Sequence, residues 1–409
     1  MKNRPDIVFL CDYRASHAQK WIAYFQEQSA NIHVISTHPV EGVDRNGFSC
    51  LRRDPVVSKS SGNSFSTVFY RIISNIPSSP RIQNFYQDSK IIKDYLTYRN
   101  RSRQMIKDLN PRIVHSLRIQ PAGLLGRYAA TNQQFFLSTW GQDLVIYRNN
   151  PLFTHMNRWV LGKVSTLFVD AELDMHLADF IGLTPGTAVY NYPARGGLSL
   201  TEFEMHYDSS KRQAMKQQLF DSSDLTIFVA PRGFGRRYVL NELLIDSISL
   251  LRRRHEKVLF LIAGNFNTPG YWRLKSYIEK KGVSGVCKLV SYSYKELMDL
   301  FKLADFYVSL TTSDGTPMSM LEAMAQGSVP IVSDLRFFQP WINDGINGFL
   351  ADLNSAEKVA ETFSRAIKCE ADPRTMAEKN FTIVREKADW AANMKKIEKI
   401  YEMALRQAV

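Results

Sequence analysis

Asp314 and Glu322 stand eight positions apart in the segment Thr311-Thr312-Ser313-Asp314-Gly315-Thr316-Pro317-Met318-Ser319-Met320-Leu321-Glu322, which leaves an apolar run, turns at Gly315 and enters a helical pattern closed by Gly327. Thr316 suits the N-cap of that helix and Pro317 its first position. A helix N-terminus presents backbone N–H groups without intrahelical acceptors, together with positive dipole potential, which is what a phosphate or sugar oxygen requires. Carboxylates do not bind phosphates. Asp314 and Glu322 beside such a site are therefore suited to accept hydrogen bonds from hydroxyls, such as those of a ribose and a sugar. The plainer alternative is two carboxylates that cap and solvate a surface helix.

A second run of the same kind is Val229-Ala230-Pro231-Arg232-Gly233-Phe234-Gly235-Arg236-Arg237-Tyr238. Its Gly-x-Gly is two thirds of a dinucleotide fingerprint. Tyr238 holds the third glycine's place, and the next strand ends at Gly264-Asn265 where a ribose-binding acid is expected, so the nicotinamide reading is poor. Arg232, Arg236 and Arg237 offer forked donors for phosphate oxygens, or else form a solvated basic loop. Towards the N-terminus, Ser16 and His17 open a helix, with Ser16 suited to cap it. His115 and Arg118 end a strand, and Asp143 sits in the turn Ser138-Thr139-Trp140-Gly141-Gln142-Asp143. His17 reads equally as a surface residue, His115 as a satisfied strand-end histidine and Asp143 as a turn cap.

The elements that must position these residues alternate between strand and helix. Strands at 7–11, 32–36, 113–115 and 135–138 are separated by helical patterns, among them 91–109. From residue 224 onward, strands at 225–229, 257–263, 289–290, 306–310 and 330–333 alternate with helices at 240–254 and 295–303 and from 318. A chain of 409 residues has room for two or three domains. The turn-rich stretch 191–197 is the natural linker. The expectation is an α/β protein of two Rossmann-like doubly wound domains facing a cleft: residues 1–195, residues 196–375, and helices at 376–409 that pack back on the first domain through Trp390.

The segment 311–327 resembles the E-x7-E signature of retaining GT-B glycosyltransferases, specifically glycosyltransferase family 4, with Asp314 in place of the first Glu. Ser333-Asp334 and Trp341 to Leu350 resemble the "dG.nGfl" turn of the same enzymes. The likeness is specific over residues 225–352 and weaker before them. It implies that Glu322 binds the ribose of a nucleotide sugar, while Asp314 and the backbone of Gly315, Thr316, Pro317, Met318 and Ser319 hold the donor sugar and diphosphate. It implies that Arg232, with Gly233 in its turn, grips the diphosphate, and that Arg236 or Arg237 substitutes for the family's lysine. Leu117 stands where the family has a second histidine that contacts the donor sugar, so that role passes to Arg118 or is absent. Ser16, His17, His115 and Asp143 are acceptor-side candidates. The resemblance further implies a metal-independent hexosyltransferase without a cofactor, acting with retention on a hydroxyl of a glycan or lipid-linked acceptor, as in bacterial surface polysaccharide synthesis.

Lys and Arg number 52 against 40 Asp and Glu, a formal charge of +12. Residues 51–118 hold 13 Lys/Arg against 4 Asp, and Tyr70, Phe85, Tyr86, Tyr95 and Tyr98 are interleaved with them. That pattern suits an anionic membrane surface. No RNA-binding motif accompanies it, so nucleic acid is not expected as a partner, and a solvated helical face is the bland alternative. Four scattered cysteines without a CxxC pair argue against a zinc site or a disulfide framework and fit a reducing compartment. Only five apolar residues follow the N-terminal Met1–Asp6, too few for a signal peptide, and no run reaches the roughly 20 that a membrane helix needs. A cytoplasmic protein, peripheral on the inner face of the membrane, is the expectation. The competing readings are a GT-B sugar-nucleotide epimerase or phosphorylase, and a non-catalytic basic protein that binds membrane or RNA.

Overall fold

The computed structural model describes residues 4–407 apart from 41–46, 52–79, 142, 148–149, 204–206, 236–237, 254, 256 and 371. Arg236, Arg237 and much of the basic segment lie outside the described residues. The chain forms two compact units, Met1–Asn191 with Met394–Val409, and Tyr192–Asn393.

The first unit carries seven parallel strands: β1 (Ile7–Cys11), β2 (Ile32–Ser36), β3 (Phe48–Cys50), β4 (Ile113–Leu117), β5 (Gln134–Ser138), β6 (Thr166–Val169) and β7 (Ala188–Asn191), in the order β3-β2-β1-β4-β5-β6-β7. Every residue of β1 and β4 is buried, as helices on both faces of a parallel sheet demand. Helix Ser16–Glu27 turns Ala18, Trp21, Ile22 and Phe25 inward, the spacing its sequence foretells. Its N-cap is Ala15 and not Ser16, and no side chain caps it. Strands β3, β6 and β7 have three or four residues each, too short for a periodic signal, and the sequence reading misses them.

The second unit carries six parallel strands: β8 (Thr226–Ala230), β9 (Val258–Ala263), β10 (Cys287–Val290), β11 (Phe306–Ser309), β12 (Val329–Ser333) and β13 (Phe349–Ala351), in the order β10-β9-β8-β11-β12-β13. On one face Phe228 and Phe260 stack with centroids 4.2 Å apart beneath Phe363 of helix Ala356–Ile367. On the other, Met320, Leu321 and Met324 of helix Met318–Ala325 share a core with Tyr307 and Phe301. Each such side chain contributes roughly 1.5–3 kcal/mol by leaving water.

Strand order reverses between β1 and β4 in the first sheet and between β8 and β11 in the second. In doubly wound sheets those reversals, at the carboxyl ends of the strands, are where ligands bind.

The tail departs from expectation. Helix Pro373–Ala388 buries Met376, Val384 and Ala388 within the second unit. The Trp390 N–H donates to Leu198 O at 3.0 Å, again within that unit. Gly197, at φ +109°, makes this pairing possible, because a Cβ there would stand 2.1 Å from the Ala388 carbonyl oxygen. Only Met394 onward belongs to the first unit, and Tyr401 is the aromatic buried there. Among the described residues no helix is long and apolar enough to cross a membrane.

Candidate functional site

Two turns leave the carboxyl ends of β8 and β11, the neighbouring strands at the reversal of the second sheet, and they are stitched together. Leu240 N–H donates to Leu310 O and Thr312 N–H to Tyr238 O, each at 2.9 Å. Thr311 N–H donates to Ser333 Oγ at 2.8 Å, tying the second turn to β12. Gly233 and Gly235 adopt φ of +84° and +96°, backbone that L side chains rarely take, and this lets the chain double back just after Arg232. Asn241 Nδ2 closes that turn on Gly233 O at 2.9 Å.

The stitching places Arg232 Nη2 against Asp314 Oδ2 as an ion pair. Asp314 Oδ1 also accepts from Gly315 N–H at 3.0 Å. Asp314 is buried. Burial pushes its carboxyl above the ordinary value, while Arg232, the Gly315 amide and Arg195 pull the other way. Burial is also the largest effect on Arg232 and opposes its cation, but the charge and hydrogen bond of Asp314 together with Tyr307 and Tyr238 outweigh it, and the guanidinium pKa rises. Neither residue is a solvated surface group.

Helix Met318–Ala325 begins one residue later than its sequence suggests. Pro317, with ψ 121°, is the N-cap and not the first helical residue, and Thr316 is buried ahead of it. Pro317 supplies no side-chain cap. The Met318 and Ser319 N–H groups therefore have no acceptor within the helix. Ser319 Oγ meets Tyr307 Oη at 3.1 Å. Glu322 is buried on the same helix, and Oε1 accepts from Tyr294 Oη at 3.0 Å.

Sequence reasoning passed over Tyr294. It opens helix Tyr294–Leu303 behind a Ser293–Glu296 capping box, in which Ser293 N–H donates to Glu296 Oε2 at 2.8 Å. A Ser-x-x-Glu box directly after an apolar run is legible in the sequence. It puts the residue following the Ser at the carboxyl edge of a strand.

In the first unit Arg118 follows β4, at that sheet's own reversal. Its backbone sits at φ +118°, a strained conformation of the kind concentrated at functional sites. Nε and Nη2 donate to Asp143 Oδ1 at 3.0 and 2.8 Å, and the Ile119 and Trp140 N–H groups donate to Asp143 Oδ2, both at 3.2 Å. The Asp143 charge raises the guanidinium pKa against the opposing effect of burial. Asp143 is buried and fully engaged, so it orients Arg118 and a turn and does not face an acceptor. About half of the Arg118 side chain remains exposed.

His17 packs edge-on against Trp140, with ring centroids 4.3 Å apart. His115 is not an acceptor-side group. It is fully buried among Phe9, Trp21, Phe136 and Phe168, with Nδ1 on Tyr401 Oη and Nε2 2.9 Å from Ser138 Oγ. Burial lowers its pKa to about 3, so the ring is neutral.

Residues 6–171 match the family model "Glycosyl transferase 4-like" and residues 210–382 the model "Glycosyl transferases group 1". The chain is 28% identical over 132 residues to a GDP-mannose:cellobiosyl-diphosphopolyprenol alpha-mannosyltransferase of Xanthomonas oryzae, a stretch covering 31% of this chain and 34% of that protein. The match thus spans about a third of that curated relative's length. Among solved structures, sucrose-phosphate synthase of Thermosynechococcus elongatus superposes with a TM-score of 0.75 at 14% identity, covering 98% of this chain and 100% of that one. Anabaena HepE in complex with UDP gives 0.72 at 12%, covering 97% and 100%. The two parallel sheets are those of GT-B structures.

Proposed function

We propose that this chain, which has the GT-B fold and whose two halves match glycosyl transferase models in turn, is a glycosyltransferase that moves a hexosyl group from a nucleoside diphosphate sugar to a hydroxyl. The observation that carries this reading is the constellation at the second sheet's reversal: the largely buried Arg232–Asp314 pair, the first helical turn at Met318 and Ser319, and buried Glu322 on the same helix. Each part suits one portion of such a donor. Glu322 accepts from ribose hydroxyls and Asp314 from a sugar hydroxyl. The first-turn amides and the Arg232 guanidinium meet the diphosphate, whose negative charge grows as the bond to the sugar breaks. Donors fixed in place before that moment contribute several kcal/mol to the transition state.

The anomeric C1–O bond to the diphosphate breaks, C1 bonds the acceptor oxygen, and the acceptor proton passes to the departing phosphate. Retention of configuration and independence of a metal follow from the resemblance of residues 311–327 to family 4. Arg118, set by Asp143, is the substrate-contacting cation we assign to the first unit. A lipid-linked acceptor is supported by the Xanthomonas relative, whose name states a diphosphopolyprenol acceptor. The basic residues within 51–118 would meet the anionic inner face of the membrane, where such an acceptor is presented.

The test is donor consumption screened across UDP-, GDP- and ADP-sugars, with and without lipid-linked saccharides. Acceptor-dependent release of one nucleoside diphosphate is the expected result. Interconversion of donors without release would indicate an epimerase instead.

A further inference from the structure

Tyr294 has no role in the reading above, yet it is joined directly to a residue that does. Tyr294 is 58% exposed, while its hydroxyl donates inward to buried Glu322. The Ser293–Glu296 capping box fixes the backbone at this point, so the ring is presented from a rigid helix start at the carboxyl edge of the sheet. A carboxylate has about four lone-pair directions, and the Tyr294 bond occupies one and sets the rotation of the rest. A ribose with two adjacent hydroxyls needs that rotation fixed. The base of a nucleotide is attached one ring bond from the 2′-carbon, so a ribose held by Glu322 brings its base to the neighbourhood of the Tyr294 ring. Aromatic side chains stack on any base through its π-face.

We propose that Tyr294 is a positioning residue for the nucleoside half of the donor. Its hydroxyl presets Glu322 for the ribose, and its exposed ring supports the base by stacking. The inference rests on the nucleotide-sugar reading of this site. It extends that reading to a residue outside the motif.

The experiment is calorimetric titration of UDP and GDP, and of their 2′,3′-dideoxy analogues, into the full chain and into Tyr294→Phe, Tyr294→Ala and Glu322→Gln. Tyr294→Phe keeps the ring and loses the hydrogen bond. It should weaken the ribonucleotides about fivefold and leave the dideoxy analogues unchanged. Tyr294→Ala should weaken both kinds, by about tenfold or more, because stacking is lost too. With an active donor, KM should rise by these factors while kcat stays within about twofold, and the exposed position should leave the melting temperature unaltered. Equal weakening of ribo- and dideoxynucleotides by Tyr294→Phe, or no difference between Phe and Ala, overturns the proposal. If Glu322→Gln weakens binding and both Tyr294 variants do not, the role of Tyr294 fails alone. If the unmodified chain binds no nucleoside diphosphate, the donor reading fails and this inference with it.

Discussion

Arg232 and Asp314, 82 residues apart in the chain, meet as a largely buried ion pair at the point where the second sheet reverses its strand order. The arginine is therefore not a loose cation waiting for phosphate. Its charge is already balanced, and a diphosphate that approaches it competes with a carboxylate whose other partner is the Gly315 amide.

That pairing predicts a separation between Asp314→Asn and Asp314→Ala. The amide keeps the shape and a hydrogen-bond acceptor, so the second unit should stay folded while transfer falls about a hundredfold or more. Alanine strands a largely buried guanidinium, and removing one member of such a pair costs up to about 3–5 kcal/mol. Thermal melts and transfer rates on both variants would check this. Full activity in Asp314→Asn would refute the assignment.

Glu322→Gln should act on donor binding more than on turnover. The amide can still accept from one hydroxyl but no longer carries the charge that strengthens such bonds, so the donor KM should rise about tenfold with kcat little changed. A fall in kcat at constant KM would move Glu322 from the ribose to the reacting sugar.

Asp143→Asn tests whether Arg118 works through its orientation. The variant loses the charge-assisted contacts at 3.0 and 2.8 Å but keeps acceptors for the two backbone amides. Transfer should drop by at least about tenfold with an unchanged melting temperature. Arg118→Lys should not restore it, because a single ammonium cannot reproduce the fork.

His115 makes the first unit acid-labile. Its folded pKa, about 3, lies below the unfolded value near 6.5, so the unfolded chain binds the proton first. The contribution is complete above pH 6.5 and is lost as pH falls towards 3, at about 1.4 kcal/mol per unit. Urea unfolding followed at pH 7, 5.5 and 4.5 should show that slope, and His115→Gln should flatten it.

Vesicles containing anionic lipid should sediment the protein at low salt and release it as salt rises, since exposed charge is screened within about 10 Å at 0.1 M. Neutral vesicles should not bind it. Failure on anionic vesicles would leave the charge of residues 51–118 without a membrane role.

The sequence determined the α/β class and the strands that position the chemistry, because β1, β4, β8 and β11 are largely buried on both faces and so read as short runs of mostly apolar residues. It also singled out the segment 311–327, where a strand, a glycine turn and two carboxylates are contiguous. Short strands such as β6 and β7 left no trace, since four residues cannot show a period. Tertiary structure alone decided the rest. Whether His115 or Asp143 faces substrate depends on what surrounds it, and the surroundings come from far along the chain: Tyr401 closes over His115, and Arg118 claims Asp143. The partner of Asp314 was equally invisible, because an ion pair is a property of two turns stitched together across a sheet and neither turn encodes the other. Tyr294 shows the same limit from the opposite side. Its capping box was legible, but the contact with Glu322 exists only because two helices that each begin at a strand's carboxyl end lie side by side.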